Sequence, residues 1–302
     1  MPLAPARTPY LWPAAALVAN AFVWGTSWWP FRQLEARGLH PLWATVLIYA
    51  VAVVVILALR PRALGQLVRT PALWVLVLAS GTTNAAFNWA VTIGDVVRVV
   101  LLFYLMPLWA VLLARWVLHE PLTRTAGARV VLALAGAAIV LWPDGRSGWE
   151  ALPLPRSLPD WLGVIGGFSF ALNNVMLRRE AHRPEEGRAL AMFCGGMGVA
   201  GALALALAGS GAVPGIPAPA PAWIAGVAAM ALLFLVGNLA LQYGAARLPA
   251  NVTSVVMLTE ILFASVTALA LGGGSLSAQL LAGGALILLA ALLSTLSKAH
   301  SH

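Results

Sequence analysis

Charge is scarce in this chain: only 9% of its 302 residues are Asp, Glu, Lys or Arg, against roughly 25% in an ordinary soluble domain. A water-soluble globular fold is thereby excluded. Cysteine is scarcer still. The single Cys194 rules out an internal disulfide and a thiol-based metal centre, and in its apolar segment it reads as a small core residue. Catalytic motifs are missing as well. HEPLT (119–123) opens like HExxH but has Thr123 where the second histidine belongs. GFSFA (167–171) approaches G-x-S-x-G yet ends in Ala171 and has no strand-turn-helix setting. Neither catalytic residues nor a metal site nor a cofactor is expected. The net charge of +8 comes from basic residues scattered singly, with no basic face carrying interleaved aromatics, so nucleic acid is not an expected partner.

What fills the chain instead is oil: 61% of the residues are hydrophobic, in windows of about 20, the length that crosses a hydrocarbon core. The expected fold is an all-α integral membrane protein with ten transmembrane helices, near 11–30, 41–59, 72–93, 97–118, 125–142, 161–178, 189–209, 222–243, 249–271 and 278–297. Most joints carry breaker signals such as GLHP, HEPLT, HRPEEG and LGGGSLS. The start of the chain mimics a secretory signal, with Arg7, an apolar stretch and the triplet Ala19-Asn20-Ala21. The apolar run, however, continues through FVWGTSWWPF, which a cleaved peptide does not need. With the N-terminus in the cytoplasm, thirteen of the eighteen basic residues fall on the cytoplasmic side, including Arg60, Arg62, Arg69, Arg178, Arg179, Arg183 and Arg188. By the positive-inside rule both termini are cytoplasmic.

The segment TTNAAFNWAV (82–91) places two amides and an indole where only oil is expected. Shifted by 154, Asn84, Asn88 and Trp89 fall on Asn238, Gln242 and Tyr243. At an offset of 146, AFVWGTSWWPFR (21–32) falls on GFSFALNNVMLR (167–178). Helices one and three therefore resemble helices six and eight. Five helices per copy is an odd number, so the second copy enters the bilayer from the opposite side. Such inverted repeats place a substrate site near the midplane, between the copies. Asn84 and Asn88 are one turn apart and share a face, as do Asn238 and Gln242. Each amide is either a wall of that cavity or interhelical glue worth about 0.6 to 2 kcal/mol.

Further candidates come from the same logic. Asn20, Trp24 and Trp28 share one face of the first helix, while Trp29 points elsewhere. Trp12, Trp43, Trp74, Trp142, Trp161 and Trp223 fall near helix ends, where an interfacial belt explains them. Asn173 and Asn174 are about 100° apart on their helix, so that one can line a cavity while the other bonds a neighbour. Tyr104 brings a hydroxyl to the middle of helix four. Glu260, near the centre of helix nine, is the one carboxyl deep in a span, where an ionised group is costly and so tends to be protonated, paired or functional. Asp95 and Arg98, spaced i, i+3 at the mouth of helix four, either pair with each other or leave Arg98 to attract a substrate carboxylate.

VWGTSW (23–28), YLMPLWAVLLARWVLHEPLT (104–123) and Gly136, then LTEILFASVTALALGGGSLS (258–277) and Gly283, resemble in order and spacing the EamA repeats of the drug/metabolite transporter superfamily. The resemblance spans essentially the whole chain. It departs from the usual pattern at Gly272 to Ser277, where the second copy has no carboxylate, and at Ile261, where a proline often follows the glutamate. It implies a first five-helix repeat over 1–145, a linker loop at 146–160 and an inverted second repeat over 161–302. The implied function is alternating-access export from the inner membrane. The expected partners are the lipid bilayer and a small-molecule substrate, and the chain is expected to act as a monomer. A cavity of amides, hydroxyls and indoles without Lys or Arg suits neutral or zwitterionic solutes, amino acids including aromatic ones. The residues expected to bind them are Asn20, Trp24, Asn84, Asn88, Trp89, Tyr104, Asn174, Asn238, Gln242, Tyr243 and Glu260. The alternative cargo is another metabolite or a cationic drug, with Glu260 as counter-ion.

Overall fold

The computed structural model describes residues 11–119, 124–142, 154–245, 256–257 and 259–296. Among them every regular element is an α-helix: α1 (Leu11–Thr26), α2 (Trp28–Glu35), α3 (Pro41–Leu59), α4 (Arg62–Arg69), α5 (Pro71–Ile93), α6 (Val96–Phe103), α7 (Met106–Val117), α8 (Arg124–Leu141), α9 (Leu158–Arg179), α10 (Glu185–Gly209), α11 (Pro221–Ala245), α12 (Thr259–Ala270) and α13 (Ala278–Leu296). Apart from Val256 and Met257, the expected start of helix nine, 249–258, lies outside the described residues, as does most of the 146–160 linker.

Two expected spans are broken, and proline breaks both. The first apolar run divides at Ser27, three residues ahead of Pro30 and next to Thr26, whose carbonyl, four residues before Pro30, the proline ring would strike while offering it no N–H; Ser27 Oγ donates instead to the Trp24 carbonyl at 2.8 Å. The run 97–118 divides at Tyr104 and Leu105, because Pro107 likewise removes the donor that the Phe103 carbonyl needs. Gly167 fits directly over that carbonyl, where an added Cβ would clash. α9 begins at Leu158 rather than 161, since the Ser157 side chain caps the Asp160 N–H at 3.2 Å. The stretch at 60–71, expected to be loop, contains helix α4, bent 99° from α5.

By length and apolarity four helices among the described residues can cross a membrane, or five if α4 and α5 count as one bent span. That is fewer than the ten expected. Two long helices, α5 and α9, fall short on composition rather than length, because they carry Thr82, Thr83, Asn84 and Asn88, or Asp160, Asn173 and Asn174. Asn84, Asn88 and Asn173 are all buried, so the polarity faces protein and not lipid. The rim behaves as an interfacial belt should: Trp12, Trp74, Trp142 and Trp161 are each at least half exposed. Trp43 and Trp223 instead turn inward and donate to the carbonyls of Pro214 and Ala218.

Packing runs mainly between the two parts of the chain, 11–141 and 158–296. α5 lies on α9 and α10, α3 on α10 and α11, α1 on α11 and α12, α6 and α7 on α9, and α8 on α13. The α8/α13 crossing shows why small residues are needed at such contacts. A Cβ at Gly136 would sit 2.6 Å from the Gly283 carbonyl oxygen, and one at Gly283 would sit 2.7 Å from that of Gly136. Backbones this close tolerate nothing larger than hydrogen. Gly136→Leu is therefore expected to cost at least about 2 kcal/mol through forced separation of the helices. Thermal unfolding in detergent checks it, with Gly127→Ala, which has open space around it, as the control that leaves the midpoint in place.

Candidate functional site

Polar groups from both parts of the chain meet where α1, the α6/α7 break and α12 converge. Tyr104, 3% exposed, donates its hydroxyl to Glu260 Oε2 at 3.3 Å. Glu260 stands in the first turn of α12, and its backbone carbonyl lies against Gly25 of α1, where an added Cβ would come within 2.6 Å. One turn and a little further along α1, Asn20 is fully buried. Its Nδ2 reaches Met257 Sδ at 3.5 Å, a weak acceptor, and its Oδ1 has no hydrogen-bond partner among the described residues. A buried amide oxygen left unpaired is costly, so this one is poised for a donor. Asn20, Tyr104 and Glu260, predicted from three separate helices, are thus brought into one neighbourhood of α1, α6 and α12.

An aromatic wall adjoins them. Trp24 stacks on Phe234 of α11, centroids 4.7 Å apart and planes 16° from parallel. Phe31 and Tyr49 also lean on Phe234, at 6.3 and 6.0 Å. Sequence analysis selected Trp24 but missed Phe234 and Tyr49, which look like ordinary members of apolar runs.

The amides of α5 lie elsewhere. Asn84 Oδ1 accepts from the Tyr49 hydroxyl at 2.5 Å, and its Nδ2 donates to the Ser80 carbonyl at 2.8 Å. Asn88 Nδ2 donates to Thr45 Oγ1 at 3.1 Å, while its buried Oδ1 has no partner among the described residues. Both therefore bind α5 to α3. Trp89 packs edge-on against His40 at 5.4 Å and does not join Trp24. For Asn84 the glue role fits better than a cavity wall. Asn84→Leu would leave the Tyr49 hydroxyl buried and unpaired, which costs about 1 to 3 kcal/mol. Tyr49→Phe in the same background should recover much of that loss of thermal stability, because it removes the stranded donor.

On α9, Asn173 is 2% exposed and its Oδ1 has no partner among the described residues, and its Nδ2 reaches Asn174 Oδ1 at 3.5 Å. Asn174 is exposed, yet it lies seven residues from Gly167 on the face that packs against α6, away from the exposed Trp161, Ile165 and Phe168. On α11, Asn238 is half-buried and bonded, and Tyr243 is 41% exposed and also engaged. The side chain of Gln242 lies outside the described residues.

At the far end of α2 a clasp of hydrogen bonds ties α2 to the end of α5 and to the segment after α12. Arg32 donates to the carbonyls of Val91 (3.2 Å), Gly94 (2.5 Å) and Gly273 (3.3 Å), and its guanidinium lies 5.0 Å over the Trp28 ring. The Trp28 indole donates to Thr267 Oγ1 at 3.0 Å. Asp95 accepts from the Ser275 N–H at 2.8 Å and caps α6 through the Arg98 backbone N–H at 3.0 Å. Its side chain does not pair with the Arg98 side chain. Arg98 reaches 62 residues along the chain to Asp160 instead, with bonds of 2.7 and 3.1 Å, and donates to the Val140 carbonyl at 2.7 Å. Each of the three guanidinium nitrogens donates one bond to protein, so the i, i+3 pairing gives way to a fork that ties α6 to α8 and α9. Sequence gave one hint of the clasp, a lone arginine ending an aromatic helix.

Three comparisons with known proteins bear on this architecture. The model of the EamA-like transporter family matches residues 11–142. No curated protein matches. Among solved structures, one titled "Crystal structure of protein" superposes with a TM-score of 0.58 at 20% identity, over 96% of this chain and 99% of that one. That likeness is one of fold alone, and it extends well past residue 142. Nothing in these matches singles out an exporter of aromatic amino acids. Residues 11–142, less than half of the chain, are thus similar to the EamA-like transporter family.

Proposed function

We propose that the chain is an inner-membrane exporter of neutral or zwitterionic solutes, amino acids with flat side chains foremost, built as two inverted five-helix repeats with both termini cytoplasmic. The observation that carries this is the meeting of Asn20, Tyr104 and Glu260 at the α1, α6 and α12 junction. Glu260 Oε2 and the unpartnered Asn20 Oδ1 suit a substrate ammonium, and the Trp24–Phe234 stack beside them suits a planar side chain. Reciprocal packing supports the inverted repeat: helix one on helix eight mirrors helix six on helix three, and helix two on helix eight mirrors helix seven on helix three. In this orientation the Arg32 clasp is the outer gate, closed, and alternating access consists of its opening while the opposite end shuts.

A second cargo is favoured by one feature. Glu260 has no cationic side chain within bonding reach among the described residues, as a counter-ion for a cationic drug would require. Ligand-induced thermal stabilisation separates the two, since a ligand at a hundred times its Kd adds about 2.7 kcal/mol of stability. Phenylalanine and tryptophan should raise the unfolding midpoint of the purified protein, and quaternary ammonium compounds should not. Stabilisation by the cations alone would overturn the amino-acid reading in favour of the second.

A further inference from the structure

We propose that helix α4 is an interfacial anchor that selects anionic phospholipid headgroups on the face of the bilayer where it lies. The proposal rests on the membrane-spanning character of the bundle and is independent of any solute. α4 departs from α5 at 99°, so if α5 crosses the bilayer, α4 runs along its surface. At 100° per residue the eight residues RALGQLVR divide into three faces. Ala63 and Leu67 are buried, and Gln66 between them donates to Glu186 Oε1 of α10 at 3.0 Å. Leu64 and Val68, one turn apart, are 49% and 61% exposed, and the preceding Leu59 is 71% exposed. Arg62 and Arg69 share the third face, roughly 130° from the apolar one.

Exposed leucine and valine beside exposed arginine would be a liability in water. At a membrane surface the same pattern is favourable. The apolar face sinks toward the acyl chains, and long arginine side chains reach the headgroups above. Arg62 and Arg69 are exposed and have no carboxylate partner among the described residues. The Arg60 charge acts on Glu186, so the charge left for lipid is that of the other two. Planar guanidinium groups match phosphate bidentately, and each cation near an anionic surface is worth about fivefold in local partition. The fit is to a phosphodiester headgroup with net negative charge, such as phosphatidylglycerol.

The test uses the full chain with Cys194→Ala and a bimane fluorophore on Val68→Cys, reconstituted in phosphatidylcholine vesicles. Brominated phosphatidylglycerol and brominated phosphatidylcholine are added separately at equal mole fraction. Phosphatidylglycerol should quench at least about threefold more strongly, and Arg62→Gln with Arg69→Gln should bring that ratio to about one. Leu64→Cys, labelled in the same way, should repeat the result from the neighbouring turn. Equal quenching by both lipids in the parent protein, or none by either, overturns the proposal. So does loss of the preference on adding inorganic phosphate at matched ionic strength, which would mark a soluble-anion site. Quenching is read without transport, so its failure leaves the exporter reading untouched, and an inactive transporter leaves lipid selection intact.

Discussion

If the Arg32 clasp is the outer gate proposed above, replacing Arg32 by glutamine opens that end of the bundle. Arg32 makes three bonds to carbonyls that end α5 and follow α12, and it covers Trp28. Bonds from a charged donor are worth about 1.5 to 3 kcal/mol each. An open gate regains water on those groups, so the net shift is on the order of 3 kcal/mol, or a hundredfold in population. A cysteine at Asn20, in a Cys194→Ala background, reports it through a membrane-impermeant thiol reagent applied from the Arg32 side of sealed vesicles. Labelling should be on the order of a hundredfold faster in Arg32→Gln, and intermediate in Arg32→Lys, whose ammonium cannot reach three carbonyls in a fork. Unchanged labelling would reduce Arg32 to a helix-end cap with no gating role.

Glu260→Gln carries the second large effect. Glutamine still accepts a hydrogen bond from Tyr104, so folded yield should hold, whereas Glu260→Leu strands a hydroxyl that is 3% exposed and costs about 1 to 3 kcal/mol. If Glu260 receives the substrate ammonium, affinity for zwitterions falls at least tenfold in the glutamine variant, because a charge-assisted bond is replaced by a neutral one. If it carries a proton instead, pH-driven flux is lost while solute exchange persists. Unchanged affinity and unchanged pH dependence would leave it a structural acid bonded to Tyr104.

Glu260 stands out in the sequence and Arg32 does not, and for neither does the sequence show the partner. Apolar runs announce helices, so the expected bounds match Pro41–Leu59 to the residue and α5 to within one. The breaks at Ser27 and Tyr104 were written in Pro30 and Pro107, yet uninterrupted apolarity masks them, since a proline kink leaves hydropathy unchanged. RALGQLVR reads as loop because eight amphipathic residues between two prolines are too short for a periodicity to emerge. Partners are the harder part. Asn84 finds Tyr49, 35 residues away, and Arg98 passes over the nearby Asp95 for Asp160, choices made by helix packing that no local spacing encodes. The reach of Asn20 toward α12 likewise depends on how the two parts of the chain dock.

Counterflow tests the central claim most directly. Proteoliposomes preloaded with unlabelled phenylalanine are diluted into labelled phenylalanine, and the label is followed inside. An exporter whose site is open alternately to each side accumulates the label transiently, well above protein-free vesicles and independent of any ion gradient, and Glu260→Gln diminishes the peak. Label that never exceeds the protein-free level, for phenylalanine, the other amino acids and quaternary ammonium compounds alike, would contradict a small-solute transporter.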